Sequence, residues 1–193
     1  GKEWLKELKR LYWPEIGTRE DPVSIAVALT SHVEDKNNFN LRPRISPDGE
    51  KIAFFSDRKD YTRIVISDRD GETVTEISQY GYGGYFESFH PFRSGVCWGP
   101  DSKRLAFVTK EDGSDHIRIV DIMSRKVLRN IDPQLGSVVS PDWSHDGTRL
   151  VFSGISGHRS DLYLYDLQQD SLQRLTTSIL HESDPMFSPQ GDG

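Results

Sequence analysis

The sequence lacks several features that would define a stapled, membrane-spanning or nucleic-acid-binding chain. Cys97 is the only cysteine among 193 residues, which removes any disulfide framework and any cysteine-based zinc site. No apolar run approaches the roughly 20 residues that a membrane helix needs. Basic side chains number 24 against 30 acidic ones, a net charge of -6, and phosphate neutralisation needs the opposite surplus. The hydrophobic share of 35% is low for a large helical core and ordinary where half of each strand faces water. The chain opens on Gly1 with no charged-then-apolar leader, so any targeting segment is expected outside these residues.

What is present is a repeat. Ile45-Ser46-Pro47-Asp48-Gly49 is followed by Lys51–Ser56 and Ile64–Asp68. Trp98-Gly99-Pro100-Asp101-Ser102 precedes Arg104–Thr109 and Ile117–Asp121, and Trp143-Ser144-His145-Asp146-Gly147 precedes Arg149–Ser153 and Leu162–Asp166. A fourth copy starts with Phe187-Ser188-Pro189-Gln190-Gly191. The steps from Ile45 to Trp98 (53) and Trp98 to Trp143 (45) recur at Ile52, Leu105 and Leu150, and again at Ile64, Ile117 and Leu162. Three independent apolar landmarks in one register establish the repeat.

Each copy predicts a small antiparallel sheet. Ser-Pro-Asp-Gly suits a tight turn, because Pro pre-sets φ, Asp bonds nearby N–H groups and Gly accepts positive φ. Alternation then places Ile52 with Phe54, Leu105 with Phe107 and Leu150 with Phe152 on one face. Polar turns (57–61, 110–115, 154–160) lead to a third strand closing on Asp, and a fourth strand follows near 74–77, 127–131 and 172–175. Four strands in about 45 residues is a β-propeller blade. The expected fold is mainly β: repeats at about 42–78, 93–131 and 138–177, plus the first strand of a fourth at 184–193. A helical leader (1–40) precedes this propeller region (41–193).

The pattern Phe/Trp-Ser-Pro-Asp-Gly-x-Lys/Arg-Ile/Leu-Ala-Phe, closing later on Asp, resembles the WD-like repeat of TolB-type propellers over about residues 42–193. Departures are Gly99 and Ser102, His145 in place of Pro, and Gln190 in place of Asp. In the leader, Trp4, Leu5, Leu8, Leu11 and Tyr12 form one helical stripe that Pro14 is expected to end. A second short helix is expected from Asp21-Pro22, with Ile25, Ala26 and Leu29 inward. Tyr12-Trp13-Pro14-Glu15 and Leu29-Thr30-Ser31-His32 are similar to the leader of longer envelope proteins in which a zinc metallopeptidase-like domain comes first. The alternative is a helical appendage packing on the propeller's side.

Catalytic motifs do not fit. His181-Glu182 continues as Ser183-Asp184-Pro185, which is not the zincin spacing. Gly154-Ile155-Ser156-Gly157 has the wrong spacing for a nucleophile elbow. Gly81–Gly84 is interrupted by tyrosine and lacks Lys, and Asp68-Arg69-Asp70-Gly71 reads as a turn, not a calcium loop. No catalytic residue, metal or cofactor is expected. Of the six histidines, His90, His158 and His181 fall in loops.

The step from the first copy to the second is eight residues longer than the next, and the excess falls in an aromatic, glycine-rich loop. Aromatic rings supply contact area at low entropic cost. Tyr82, Tyr85, Phe86, His90 and Phe92 are therefore the candidate partner-binding residues. The competing reading folds Phe89 and Phe92 back over the gap between blades.

The TolB-type resemblance implies a non-catalytic scaffold for protein partners in the bacterial envelope, periplasmic or at the outer membrane. The other class is a regulatory propeller of a longer hydrolase, metallopeptidase-linked or of prolyl-oligopeptidase type. Three blades and a strand fall short of the usual four-blade minimum. Further sequence, or pairing of another chain with open edges, is therefore expected. Replacing Tyr82, Tyr85 and Phe86 together by Ser is expected to weaken the partner without lowering the melting temperature; equal loss of stability would mean core packing instead.

Overall fold

The computed structural model describes residues 2–16, 25–78 and 86–188. The chain divides into two units, Gly1–Ser31 and His32–Gly193. In the first, helix α1 (Lys2–Ile16) carries Pro14 inside its last turn. The proline forfeits one i→i−4 bond there instead of ending the helix, which corrects the expected stop. Trp4, Leu5, Leu11 and Tyr12 are exposed. Asp21 and Pro22 lie outside the described residues. Ile25 and Ala26 are exposed and not inward, since no described element packs over them, and Leu29 is half-buried.

The second unit opens with a helical turn, α2 (His32–Asp35), and continues in strands. Blade 1 is β1 (Asn40–Ile45), β2 (Lys51–Ser56), β3 (Arg63–Asp68) and β4 (Thr73–Ser78), paired antiparallel in chain order. Blade 2 holds β5 (Ser88–Phe89), β6 (Val96–Trp98), β7 (Arg104–Glu111), β8 (Ser114–Asp121) and β9 (Lys126–Ile131). Both β5 and β6 pair with β7, so together they form the blade's innermost strand. Blade 3 is β10 (Ser137–Trp143), β11 (Arg149–Ser156), β12 (Arg159–Asp166) and β13 (Ser171–Arg174).

Aspartates set the turns. The Ser46 hydroxyl donates to Asp48 Oδ1 (2.5 Å) while its oxygen accepts the Lys51 N–H (2.9 Å). Ser144, Asp146 and Arg149 repeat this at 2.6 and 2.9 Å. In blade 2, where Gly99 replaces the serine, Asp101 accepts the Lys103 and Arg104 N–H groups (3.0 and 3.1 Å) and Arg104 Nε (2.6 Å). Each turn then needs a left-handed residue: Gly49 (φ 76), Ser102 (φ 56) and Gly147 (φ 72). Ser102 takes this strained conformation and its hydroxyl accepts the Asp48 N–H of blade 1 at 3.0 Å, a cross-blade bond that glycine could not make. The strand-closing Asp68, Asp121 and Asp166 accept turn N–H groups in the same manner.

Two hairpins are tighter than their composition suggests. β7 and β8 turn through Asp112 (φ 47) and Gly113 (φ 80), a two-residue turn whose backbone twist matches the strands. β11 and β12 turn at Gly157 and His158, so Gly154 to Ser156 are strand, not loop. Gly154 is needed there because a Cβ would lie 2.5 Å from Leu135 Cδ1 and 2.9 Å from the Tyr163 ring.

The core lies between blades. Ala53, Phe55, Ile64 and Ile66 of blade 1 meet Leu105, Phe107 and Val120 of blade 2. The opposite face of blade 2, with Ala106, Val108, Ile117 and Ile119, meets Leu150, Phe152, Tyr163 and Tyr165 of blade 3. The central strands of the middle sheet, β7 and β8, are thus buried on both faces, while β9 at its outer edge is mostly exposed.

Motif aromatics stitch the stack. Trp98 Nε1–H donates to the Arg44 carbonyl of blade 1 (2.9 Å). The Arg104 guanidinium lies 4.9 Å from the Trp143 ring, and Arg149 lies 5.8 Å from Phe187, both within cation–π range. Phe187 belongs to the fourth repeat, whose Asp184 (φ 55) before Pro185 copies Arg42 (φ 56) before Pro43 and Ser140 (φ 53) before Pro141. The expected first strand of the fourth repeat is not formed over the described residues 184–188, because no backbone ladder pairs them; Phe187 N–H donates instead to Asp142 Oδ2 of blade 3 at 2.8 Å.

Hydrogen bonds from Ser144 and then Thr148 bring the Asp146 carboxyl down to about 2. Those from Ser46 and Glu50 hold Asp48 below the ordinary carboxylate range. A depressed carboxylate contributes stability above its unfolded pKa of about 3.9 and loses it as pH falls through the folded value. The melting temperature is therefore expected to drop between about pH 4 and about pH 2. Asp146→Asn should flatten part of that slope while lowering stability at neutral pH, measured by thermal unfolding across this range.

Candidate functional site

The innermost strands converge. Arg42 and Arg44 of β1, Gly95 and Val96 at the start of β6, Ser140 to Asp142 of β10, and Asp184 to Met186 line one cleft of about 80 Å³. A β-bulge at Arg42 and another at Ser140 shift the register and turn each strand along this cleft.

Blade 2 departs from its neighbours here. Phe89 and Cys97 take the places of Val138 and Asp142 in the ladder, so the segment between them holds four more residues. Half of the extra length thus sits inside the innermost strand. It forms a turn closed by the Arg93 and Ser94 N–H groups on the His90 carbonyl (3.1 and 2.8 Å). At its tip Phe92 is 70% exposed. Arg42 Nη2 donates to the Phe92 carbonyl (2.8 Å) and the Phe92 ring meets Phe39 edge-on at 5.5 Å, so the tip is held in place.

The candidate partner-binding residues separate. Tyr82 and Tyr85 lie outside the described residues. Phe86 is 1% exposed, packed on Phe89 (4.7 Å between ring centres) and beneath the Arg118 guanidinium (4.9 Å). Its ring covers the buried Arg118–Glu111 ion pair (2.6 Å), which a polar surface residue could not do, so its expected partner contact is corrected to a core role. Phe89 also folds back between the blades, as the competing reading had it, whereas Phe92 does not.

His90 is engaged internally. Its Nε2–H donates to Asp115 Oδ1 (2.8 Å), and Asp115 Oδ2 accepts the Ser137 hydroxyl (3.0 Å) and the Val138 N–H (2.9 Å). Burial opposes ionisation of Asp115, but His90, Val138 and Ser137 outweigh it and hold the carboxyl below its ordinary range. Ser, His and Asp meet here with the carboxylate at the hub, so no imidazole is placed to take the serine proton as in a hydrolase triad. Blade 3 makes the same tie with Ser160, whose hydroxyl donates to the Glu182 carbonyl (2.7 Å). The cluster is a clasp between a blade and the following connection. Among the described residues, no three His, Cys, Asp or Glu side chains are grouped to hold a metal ion.

Sequence reasoning missed Arg42 and Arg44. The available signal was the residue-Pro step at Arg42-Pro43, Ser140-Pro141 and Asp184-Pro185, three residues before each motif aromatic or its Ile45 equivalent. Phe86→Ala is expected to cost about 3 kcal/mol or more of stability, whereas Phe92→Ser should cost about 1 kcal/mol or less. Denaturant unfolding of the two variants distinguishes the core ring from the surface ring.

Residues 94–193 match the family model described as the TolB beta propeller domain. The Tol-Pal system protein TolB of Ruthia magnifica subsp. Calyptogena magnifica is 27% identical over 115 residues, which is 60% of this chain and 25% of that protein. An uncharacterized peptidase of Bacillus subtilis (strain 168), YuxL, is 26% identical over 151 residues, 77% of this chain and 20% of that one. The crystal structure of TolB from Acinetobacter baumannii superposes with a TM-score of 0.64 at 22% identity, covering 80% of this chain and 36% of that one. The chain therefore spans between a fifth and just over a third of these relatives. With the repeat, the stacked four-stranded sheets and a family model matching more than half of its length, the chain belongs to the TolB beta propeller domain family.

Proposed function

We propose that this region is a non-catalytic propeller scaffold that binds partner proteins in the bacterial envelope, in the periplasm or at the outer membrane. Family membership supports a TolB-like role. The observation that carries the binding assignment is Phe92, an aromatic ring exposed on an insertion into the innermost strand yet fixed by Arg42 and Phe39. A rigid, exposed aromatic is the residue type that dominates binding energy at protein interfaces. Tyr82 and Tyr85 precede the same insertion in the sequence and are proposed as further partner-binding residues. The described residues that resemble a hydrolytic set, His90, Asp115 and Ser137, are spent on joining blades.

A second reading has one observation in its favour: the similarity to the Bacillus peptidase extends over 77% of this chain. In that case the blades gate or regulate a hydrolase domain elsewhere in the same protein. A His-Glu-x-x-His or Gly-x-Ser-x-Gly motif in the complete reading frame would favour it.

The test is retention of envelope proteins on the immobilised chain. A stoichiometric partner is expected, retained by the parent sequence and lost on Phe92→Ser at unchanged melting temperature. Absence of any retained protein, or retention indifferent to Phe92, would overturn the scaffold assignment.

A further inference from the structure

The cleft next to the inserted turn is lined by two arginines, Arg42 and Arg44, and two aspartates, Asp142 and Asp184. Several arginines of the propeller unit form ion pairs: Arg58 and Arg63 with Glu76, Arg104 with Asp101, Arg118 with Glu111, and Arg174 with Asp161. Arg42 and Arg44 differ. Among the described residues they reach only backbone carbonyls, Arg42 that of Phe92 (2.8 Å) and Arg44 that of Pro43 (3.4 Å), and neither forms an ion pair. Both are exposed, and the neighbouring Arg93 is exposed as well.

The two carboxylates of the cleft already serve other donors. Asp142 Oδ2 accepts the Phe187 N–H (2.8 Å) and Asp184 Oδ1 accepts the Ser140 hydroxyl (2.5 Å). The Ser140 and Ser183 hydroxyls hold the Asp184 carboxyl below its ordinary range, and Arg42 and Arg44 add to that effect. Neither carboxylate lies within ion-pair distance of Arg42 or Arg44, so both guanidiniums keep their side-chain donors for an incoming acceptor apart from the Phe92 and Pro43 carbonyls. A guanidinium presents a planar fork of donors that matches a carboxylate, and such charge-assisted bonds are among the strong ones. At about 80 Å³ the cleft admits a side chain. It falls short of the several hundred Å³ typical of small-molecule and cofactor sites.

We propose that this cleft receives a carboxylate-bearing segment of a partner protein, with an acidic side chain on Arg42 and Arg44 and a neighbouring apolar side chain on the Phe92–Phe39 ring pair. The inference rests on the scaffold reading and specifies the chemistry of the partner. Arg42 has two tasks, fixing the inserted turn and facing the ligand, so Arg44 is the cleaner position to vary.

The probe is a fluorescein-labelled peptide, Gly-Asp-Glu-Phe-Gly, followed by anisotropy against the full chain, beside its amide counterpart Gly-Asn-Gln-Phe-Gly. The acidic peptide is expected to bind at least about tenfold more tightly than the amide, as loss of charge-assisted bonds implies. Arg44→Gln should remove most of that difference, and raising salt to about 0.3 M should weaken the acidic peptide alone. Phe92→Ser should weaken both peptides. Equal binding of the two peptides, or an Arg44→Gln variant of unchanged melting temperature and unchanged preference, would overturn the proposal. Partner retention that survives Arg44→Gln would leave the scaffold reading standing and reject the carboxylate. Arg44-dependent binding of the acidic peptide with no envelope partner retained would do the reverse.

Discussion

A blade in this protein is one sheet thick, and the middle blade carries apolar side chains on both of its faces. Leu105 and Phe107 point to blade 1 while Ala106 and Val108 point to blade 3, so neither face is buried until a neighbour stacks on it. Nearly everything else follows from that requirement. The core exists only between sheets, and each sheet must meet its neighbour at a fixed offset. The motif aromatics set that offset: Trp98 is 7% exposed and Trp143 4%, each seated against the preceding blade. Ile45, the equivalent position in blade 1, is 67% exposed. The apolar side chain at this repeat position is buried where a described blade packs against it, as at Trp98 and Trp143, and open at Ile45.

Stacking also explains the use of aspartate. A repeat that must present the same offset each time needs turns of fixed shape, and a carboxylate accepting two or three nearby donors fixes a turn without needing a core of its own. Two aspartates per blade do this, one before the second strand and one after the third. Ser102 shows the limit of the motif. It accepts a left-handed backbone, normally left to glycine, in exchange for a bond to the blade before it.

The propeller architecture was legible in the sequence because it is written several times over. Landmarks at Ile52, Leu105 and Leu150 fall on equivalent strand positions, and the second and third strands of each blade lie where the repeat predicts them, although β7, β8, β11 and β12 run on into the expected polar turns. What was not legible is what occurs once. Phe86 and Phe92 sit six residues apart in one aromatic run, and composition cannot tell the ring beneath Arg118 from the ring in solvent. The fate of each depends on Glu111, Arg118, Arg42 and Phe39, which come from elsewhere in the chain. Likewise, the double use of blade 2 follows from its place in the middle of the stack, and alternation within one strand does not reveal which of two faces is covered.

The broken innermost strand of blade 2 has a consequence for how such a scaffold can diversify. Because β5 and β6 both pair with β7, the four added residues leave the ladder on either side intact, and the stacking faces of the blade are untouched. Within that turn His90 and Ser94 are tied to Asp115 and Ser140, so only the exposed side chains at its tip, Phe92 and Arg93, stand apart from the packing that holds the blades together. The exposed tip and the buried stacking positions are separate residues of the same strand, so the side chains at the tip can change while the stacking faces stay constant.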